Sequence, residues 1–317
     1  MSVSVANVTG IESTRTGMTT QRPGQARVLH ALRHASPLGM LFAIAIFAFY
    51  SLVFVIPFVT AIWLSFQNWD YLTTPIFVGS RNYRELIADA YFWQALRTTL
   101  LFSVVEISTG VWLALLLSLM LDHLTRRWSR LFLALYYLPV ITPIVVSVYL
   151  WRWLYRPTGG AFNLLLGSVG LPEQPFLAST QQALWAITAM VVWANVGGVA
   201  VILLAGMKDV PLSLYDAAQI DGAGFWRVFF RITLPLIRPA LVYIMVVSVV
   251  GTVQMFVPFF LMAGPGFSTR TLALYTYDLG FQSLNLGYGA AVSLVIFLLL
   301  LVATIVQLQR WQIKWEY

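Results

Sequence analysis

The chain has 317 residues, of which 59% are hydrophobic and only 10% charged, with a formal net charge of +7. A soluble domain carries about a quarter of its residues as Asp, Glu, Lys or Arg, so this composition excludes a water-facing globule and points to an integral membrane protein. The absence of cysteine excludes disulfides, iron–sulfur clusters and thiolate metal sites, and in so apolar a chain the positive excess reports orientation in a bilayer, not a nucleic-acid partner.

Residues 1–37 read as a polar, basic, disordered tail. Its charged start is not followed by a short apolar region, so it is not read as a cleavable signal. His30 and His34, four apart, have no third ligand near them and read as part of an ordinary cationic segment beside the membrane. A helix needs about 20 apolar residues to cross hydrocarbon, and six stretches qualify: Leu38–Phe66, Leu96–Leu121, Leu131–Trp153, Ala183–Met207, Leu236–Met262 and Gly287–Leu308. The third carries Pro139 and Pro143, which free backbone carbonyls and predict a kinked span facing other helices. Between spans one and two, "FVGSRNYRELIADAYFWQA" predicts a turn at Gly79 and then an interfacial amphipathic helix. Residues 155–182 predict an irregular loop. "GPGFSTRTLALYTYDLGFQ" predicts a glycine turn and another short helix before span six.

Orientation follows from the basic residues. With the N-terminus inside, Arg15, Arg22, Arg27, Arg33, Arg126, Arg127, Arg130, Lys208, Arg227, Arg231, Arg238, Arg310 and Lys314 are cytoplasmic. Arg81, Arg84, Arg97, Arg152, Arg156 and Arg270 are outside. The excess inside predicts that both termini, and the connection between spans four and five, face the cytoplasm.

That connection, "SLYDAAQIDGAGFWRVFFRITLPLIRP" from Ser213 to Pro239, is polar and rich in small residues between two apolar spans. It predicts a short helix with Ser213 as a cap, running to Leu234 before proline stops it. Asp216, Ala217, Ala218 and Gly222 give it a small, acid-tipped side that another surface can approach closely. Phe225, Trp226, Phe229 and Phe230 form an apolar group expected to pack on the ends of the spans. The order Asp216-Ala217-Ala218, three residues, Gly222, nine residues, Ile232, one residue, Leu234-Pro235 resembles the EAA loop of the membrane subunits of binding-protein-dependent ABC importers. This copy has Asp216 where the family most often has Glu, with the same charge on a side chain one methylene shorter. "LYYLPVITPIVVSVYLWRWLYRPTGGAFN" and the stretches around Gly79 and Gly264 resemble the carbohydrate-uptake branch of that family. There the chain departs from the pattern only in having Thr98-Thr99 for an Asn-Thr pair and a single glycine, Gly264, before the last outer-loop proline.

The resemblance implies a fold and a set of partners. The fold is all-α, with six transmembrane helices and a cytoplasmic coupling helix between spans four and five, the type I importer permease fold. It divides into a tail at 1–37, a permease domain at 38–310 with its coupling helix at about 213–234, and a C-terminal tail at 311–317. The implied partners are a second, homologous permease forming a heterodimer, two ATPase subunits on the cytoplasmic side, an extracytoplasmic substrate-binding protein and a carbohydrate, polyol or glycerol phosphate, all in a bacterial or archaeal inner membrane. ATP and Mg would sit on the ATPase; this chain, with no G-x-x-x-x-G-K-[ST], is expected to carry no cofactor, metal or catalytic residue. Asp216, Ala217, Ala218, Asp221, Gly222 and Ala223 are the ATPase-coupling candidates. Counted from the loop as in the maltose system, the substrate path falls on Ala194, Asn195 and Gly198 and on Ser248, Gly251, Thr252 and Met255. Each set keeps helical spacing and so forms one stripe.

Other polar and aromatic residues in the spans are weaker candidates. Glu106 is the one carboxylate deep in a span; it reads as structural, bonded to a neighbouring helix, because no relay partner accompanies it. Gln254 is a further hydrogen-bonding candidate, and Tyr149, Trp193 and Phe256 are candidates for stacking on a sugar, although packing is the commoner role for each. No H-E-x-x-H or G-x-S-x-G supports a membrane hydrolase. The alternatives are an ion-gradient-driven secondary transporter, for which Glu106 is the best feature, and a membrane-embedded enzyme or assembly scaffold.

Overall fold

A computed structural model describes residues 37–311. The predicted tails, with His30 and His34, lie outside the described residues except for Pro37 and Trp311. Among the described residues, 37–59 group as one unit and 60–311 as a second. Helix α1 (Pro37–Leu64) is long and apolar enough to cross a bilayer. It carries a π turn at Ser51–Val55 just ahead of Pro57, which has no N–H to donate to the helical ladder.

Beyond α1, strands β1 (Gln67–Asn68) and β2 (Ile76–Phe77) pair antiparallel, with Gln67 opposite Phe77. Gly79 turns the chain at φ +56° into α2 (Arg81–Ala88), the predicted amphipathic helix. The second span, α3 (Ala90–His123), starts six residues earlier than composition placed it, because Asp89 caps it with its carboxylate on the Tyr91 N–H. The third span is not a kinked helix but two. Helix α4 (Arg126–Ile141) and α5 (Ile144–Leu154) meet at 96°. Pro143 pushes Thr142 into extended backbone, and the Thr142 hydroxyl donates to Leu138 O at 2.9 Å, covering a carbonyl at the break.

The loop expected to be irregular holds α6 (Ala161–Ser168) and a 3₁₀ turn at Phe176–Ala178. Its organiser is Asn163, whose side chain bonds Pro157 O, Gln174 O and the Gln174 N–H. Helix α7 (Ala183–Lys208) is the fourth span. Then come α8 (Leu212–Ile220), α9 (Phe225–Val228), a π turn at Phe229–Thr233 and α10 (Leu234–Leu236). The fifth span is α11 (Arg238–Val253) with α12 (Val257–Leu261). After a glycine turn come α13 (Leu272–Tyr277), a π turn at Asp278–Gln282 and the sixth span, α14 (Leu286–Arg310). The described residues are mostly helical, as expected, with five helices long and apolar enough to cross a bilayer, or six crossings if the bent pair α4 and α5 is one span.

Helix α7 is the axis of the second unit. It packs along α3 and against α4 and α11, and small residues set the distances. Ser118 on α3 reaches Ala200 O on α7 at 2.9 Å while also bonding its own helix. Gly197 lies directly on the α4 backbone: a Cβ there would sit 2.0 Å from Tyr136 O. Close approach of this kind drives helix association where lipid is as apolar as leucine. Near one end of the bundle, Phe102, Val148, Ile187, Met190, Phe259 and Met262 form a buried cluster. A second cluster joins Ala114, Leu203 and Met207 to Phe229 and Ile237, so the α8–α10 segment is seated on the opposite half of the spans.

Asp89 does more than cap α3. Its Oδ2 accepts the phenol of Tyr275 on α13 and that of Tyr288 on α14, the latter at 2.7 Å. Burial opposes the charge, but the Tyr275, Tyr288 and backbone N–H hydrogen bonds outweigh it and hold the carboxyl below its ordinary value. A depressed folded-state value stabilises the fold above the unfolded carboxylate range, and that contribution is lost as pH falls through the folded value. Asp89→Ala removes a cap and the acceptor of two phenols. A loss of about 1–3 kcal/mol is expected, read as a lower thermal midpoint in detergent at pH 7, with the gap to wild type closing toward pH 3. An unchanged midpoint at pH 7 would refute the role.

Candidate functional site

Two places combine chemistry with exposure: a cavity among the spans and the segment between α7 and α11. The cavity holds about 500 Å³ and is walled by α3, α4, α7, α11 and Met255, within the usual size of a small-molecule site. Its walls are mostly Val, Ile and Gly. Helical periodicity is what puts its polar groups together: Asn195, Gly198 and Ile202 fall on one stripe of α7, and Ser248, Gly251, Thr252 and Met255 continue one stripe of α11.

Six of the seven path residues read from the sequence line this one cavity: Asn195, Gly198, Ser248, Gly251, Thr252 and Met255. Ala194 does not; one step around the helix from Asn195, it is buried in the cluster of Phe102, Ile187 and Met190. The three aromatic candidates are elsewhere too. Tyr149 is exposed on α5 under the Arg152 guanidinium, Trp193 packs on Trp151, and Phe256 stacks on Phe260 and packs at a tilt against Tyr277. Gln254 lines a separate pocket with Thr276 and Ser293. Tyr137 and Glu106 are the polar lining residues that spacing did not select. The Tyr-Tyr pair two residues before Pro139 was the available signal for the first, since a break in a span exposes groups beside it.

Glu106 sits on α3 and accepts the Asn195 amide through Oε1 at 3.1 Å. It is buried, at 5% exposure, yet forms part of the cavity wall. The expected structural hydrogen bond to a neighbouring helix is present, and it is made to a path residue. The Thr252 hydroxyl donates to Ser248 O at 2.9 Å, leaving its lone pairs to accept. Ser248 Oγ, Tyr137 Oη, Asn195 Oδ1 and Glu106 Oε2 have no intramolecular hydrogen bond among the described residues. The cavity thus offers a few hydrogen-bonding groups on an apolar wall.

The α8–α10 segment differs from the single helix its composition suggests. Helix α8 begins after Pro211, so Ser213 lies inside the first turn and caps nothing. The helix ends at Ile220 in a Schellman motif. Gly222 takes φ +65°, Ala223 N–H bonds Ala218 O at 2.9 Å, and Gly222 N–H bonds Gln219 O at 3.1 Å. The Asp221-Gly222 pair was a legible stop signal, read instead as part of a small docking side. Leu234-Pro235 does not stop the chain's helical course; proline sits in the first turn of α10, where no N–H is needed, and the turn comes at Ile237. Only Phe229 of the four aromatics is buried. Phe225, Trp226 and Phe230 are exposed, so the expected anchor is Phe229 together with the Tyr215–Thr233 hydroxyl contact at 3.2 Å. Ala218 faces inward, whereas Asp216, Ala217, Asp221 and Gly222 are exposed and Ala223 half-buried. The ends of α3 and α7 beside this segment are joined by the Lys208–Asp122 ion pair.

Residues 106–314 match the family model described as "Binding-protein-dependent transport system inner membrane component". The chain is similar to the sulfoquinovosyl glycerol transport system permease protein SmoG of Agrobacterium fabrum, 32% identical over 82% of this chain and 85% of that protein. It is also similar to the sn-glycerol-3-phosphate permease protein UgpA of Pectobacterium atrosepticum, at 32% over 83% and 90%. The trehalose/maltose permease protein MalF of Thermococcus litoralis is 31% identical over 81% and 88%. In fold it matches a chain of a bacterial ABC transporter involved in the import of the acidic polysaccharide alginate, with a TM-score of 0.78, 20% identity and coverage of 92% of this chain and 100% of that one.

Proposed function

This chain belongs to the family of binding-protein-dependent transport system inner membrane components, and from that premise we propose that it is one of two permease subunits of an ATP-driven carbohydrate importer. The cargo is a mono-, di- or oligosaccharide or a related polyol or glycerol phosphate, as the names of the relatives suggest. The observation that carries the reading is the convergence of the polar stripes of α7 and α11 on one cavity of about 500 Å³ within the spans. Polar groups are costly in lipid and mark substrate paths.

The rest of the machine follows from the premise. A second permease completes the path, and a soluble binding protein delivers cargo from outside. Two ATPases dock on the cytoplasmic side, where ATP and Mg are held. The basic residues favour both termini on that side. Segment α8–α10 is the coupling element: Asp216 stands exposed among the exposed apolar side chains of Leu212, Ile220 and Trp226, a combination suited to a protein partner. Closure of the ATPases would press on this segment, and Phe229 and Ile237, packed with Leu203 and Met207, would pass the displacement to α7 and α11. These are the two helices that carry the cavity stripes. The chain itself performs no covalent chemistry. A gradient-driven carrier is the less supported reading, since Glu106, its best feature, is bonded to an amide and not to a second titratable group.

Uptake by the complete transporter in proteoliposomes tests the path. Ser248→Leu fills the cavity and removes a free hydroxyl, and a five- to tenfold fall in maximal ATP-driven uptake is expected, with the binding protein's affinity for cargo unchanged. Asn195→Leu should do the same and also leave the Glu106 carboxyl without its partner, lowering stability by roughly 1–3 kcal/mol. Wild-type uptake in both variants would refute the path.

A further inference from the structure

The cavity is one-sided in charge. Of the residues that wall it, only Glu106 carries an ionisable carboxyl, and no Lys, Arg or His is among them. The carboxyl is held, not mobile: it is buried at 5% exposure and fixed by Asn195 Nδ2 at 3.1 Å. Its second oxygen has no intramolecular hydrogen bond among the described residues, and Glu106 is part of the cavity wall. The other free groups nearby, Ser248 Oγ, Tyr137 Oη and Asn195 Oδ1, are neutral and suit hydroxyls.

We propose that Glu106 is a specificity-determining residue of the path: it accepts a hydrogen bond from a hydroxyl of an uncharged sugar or polyol and rejects phosphorylated or uronic cargo. The inference deepens the carbohydrate-importer reading and rests on it. An anion entering this half of the path would face a buried carboxylate with no cation on the same wall, and in a low-dielectric surrounding such a like-charge approach is strongly unfavourable. An uncharged polyol meets the opposite situation. Each of its hydroxyls both donates and accepts, so it can satisfy Glu106 Oε2 and Asn195 Oδ1 as acceptors and still receive a proton from Ser248 or Tyr137. Rejection built this way needs no contact that improves binding of the correct cargo; it works by penalising the wrong one. The relatives include permeases named for both neutral and phosphorylated cargo, so the family alone does not choose between them.

The test uses the complete transporter, both permeases with ATPases and binding protein, in proteoliposomes. The probes are paired: glucose against glucuronate, maltose against maltobionate, glycerol against sn-glycerol 3-phosphate. Each is compared at binding-protein saturation, and only pairs whose two members the binding protein retains are scored. Wild type should take up the uncharged member at least tenfold faster. Glu106→Gln keeps the side-chain length and an acceptor for Asn195 while removing the charge, and should narrow that ratio at least fivefold. Equal wild-type uptake of both members overturns the inference and leaves the carbohydrate reading standing, as does a ratio unchanged in a Glu106→Gln transporter that elutes as wild type. Should the transporter show no ATP-driven uptake of any probe that its binding protein retains, whether charged or neutral, the carbohydrate reading itself fails and the inference with it. The wild-type ratio is informative even if the variant does not assemble.

Discussion

Gly197→Ala is expected to dismantle the packing of α4 on α7. The added Cβ would lie 2.0 Å from Tyr136 O and 2.7 Å from Tyr136 C, and both are backbone atoms that no rotamer change can move. The helices must separate by more than an ångström, which opens the contacts of Tyr136, Tyr137 and Val140 with α7 along the cavity wall. Overpacking of this kind costs about 1–3 kcal/mol in a deformable core, occasionally more, and with rigid backbone on both sides the upper end or beyond is expected. The control is the next residue. At Gly198 a Cβ would meet only the Val140 methyls at 3.7 and 3.8 Å, an ordinary contact, so Gly198→Ala should keep a wild-type thermal midpoint and monodisperse elution. Thermal unfolding of the two variants in detergent checks the contrast. Equal stability of the pair would show that the close approach is not a constraint on the fold.

Asp216→Lys is expected to abolish coupling with the fold intact. Asp216 is exposed and makes no ion pair or hydrogen bond among the described residues, so reversing its charge breaks nothing inside the chain. A docking surface on the ATPase that complements an acid would instead meet a cation, and like-charge juxtaposition across an interface costs several kcal/mol. The expected result is a permease that elutes as wild type, copurifies poorly with its ATPase and loses ATP-driven uptake at least tenfold. Partial recovery at low ionic strength is not expected, since screening weakens repulsion as salt rises. Normal copurification together with wild-type uptake would remove Asp216 from the coupling element. Gly222 is a poorer probe of the same surface: it needs the left-handed backbone of the Schellman motif, so any side chain there adds roughly 1–2 kcal/mol of strain to whatever it does to docking.

The two predictions draw on different kinds of legibility. Asp216 was visible in the sequence because charge in an apolar chain has a short list of meanings, and because its spacing from Ala217, Ala218 and Leu234-Pro235 repeats a known pattern. Gly197 was visible as a glycine but not as a contact, since nothing in "WANVGGVA" distinguishes Gly197 from Gly198 until α4 is laid against α7. The same holds for Ala194 and Asn195, which adjoin in sequence and face a packed core and a cavity respectively. The misread Asp221-Gly222 stop shows a local signal overlooked, not one absent: a glycine just past a helix is common chemistry, and its size had already been given another use.

Composition, span length and the periodicity of polar residues determined the membrane class, the apolar stretches long enough to cross and the stripes on spans four and five, because each depends on neighbours within a few residues. Only the tertiary structure decided which groups share a cavity, that Glu106 is held by Asn195 across a sequence separation of 89, that Asp89 gathers phenols from α13 and α14, and that span three breaks by 96°. Those outcomes depend on which helix faces turn toward one another. That choice is set by the closest approach of small residues across helices, a pairwise property that a single strand of sequence does not carry.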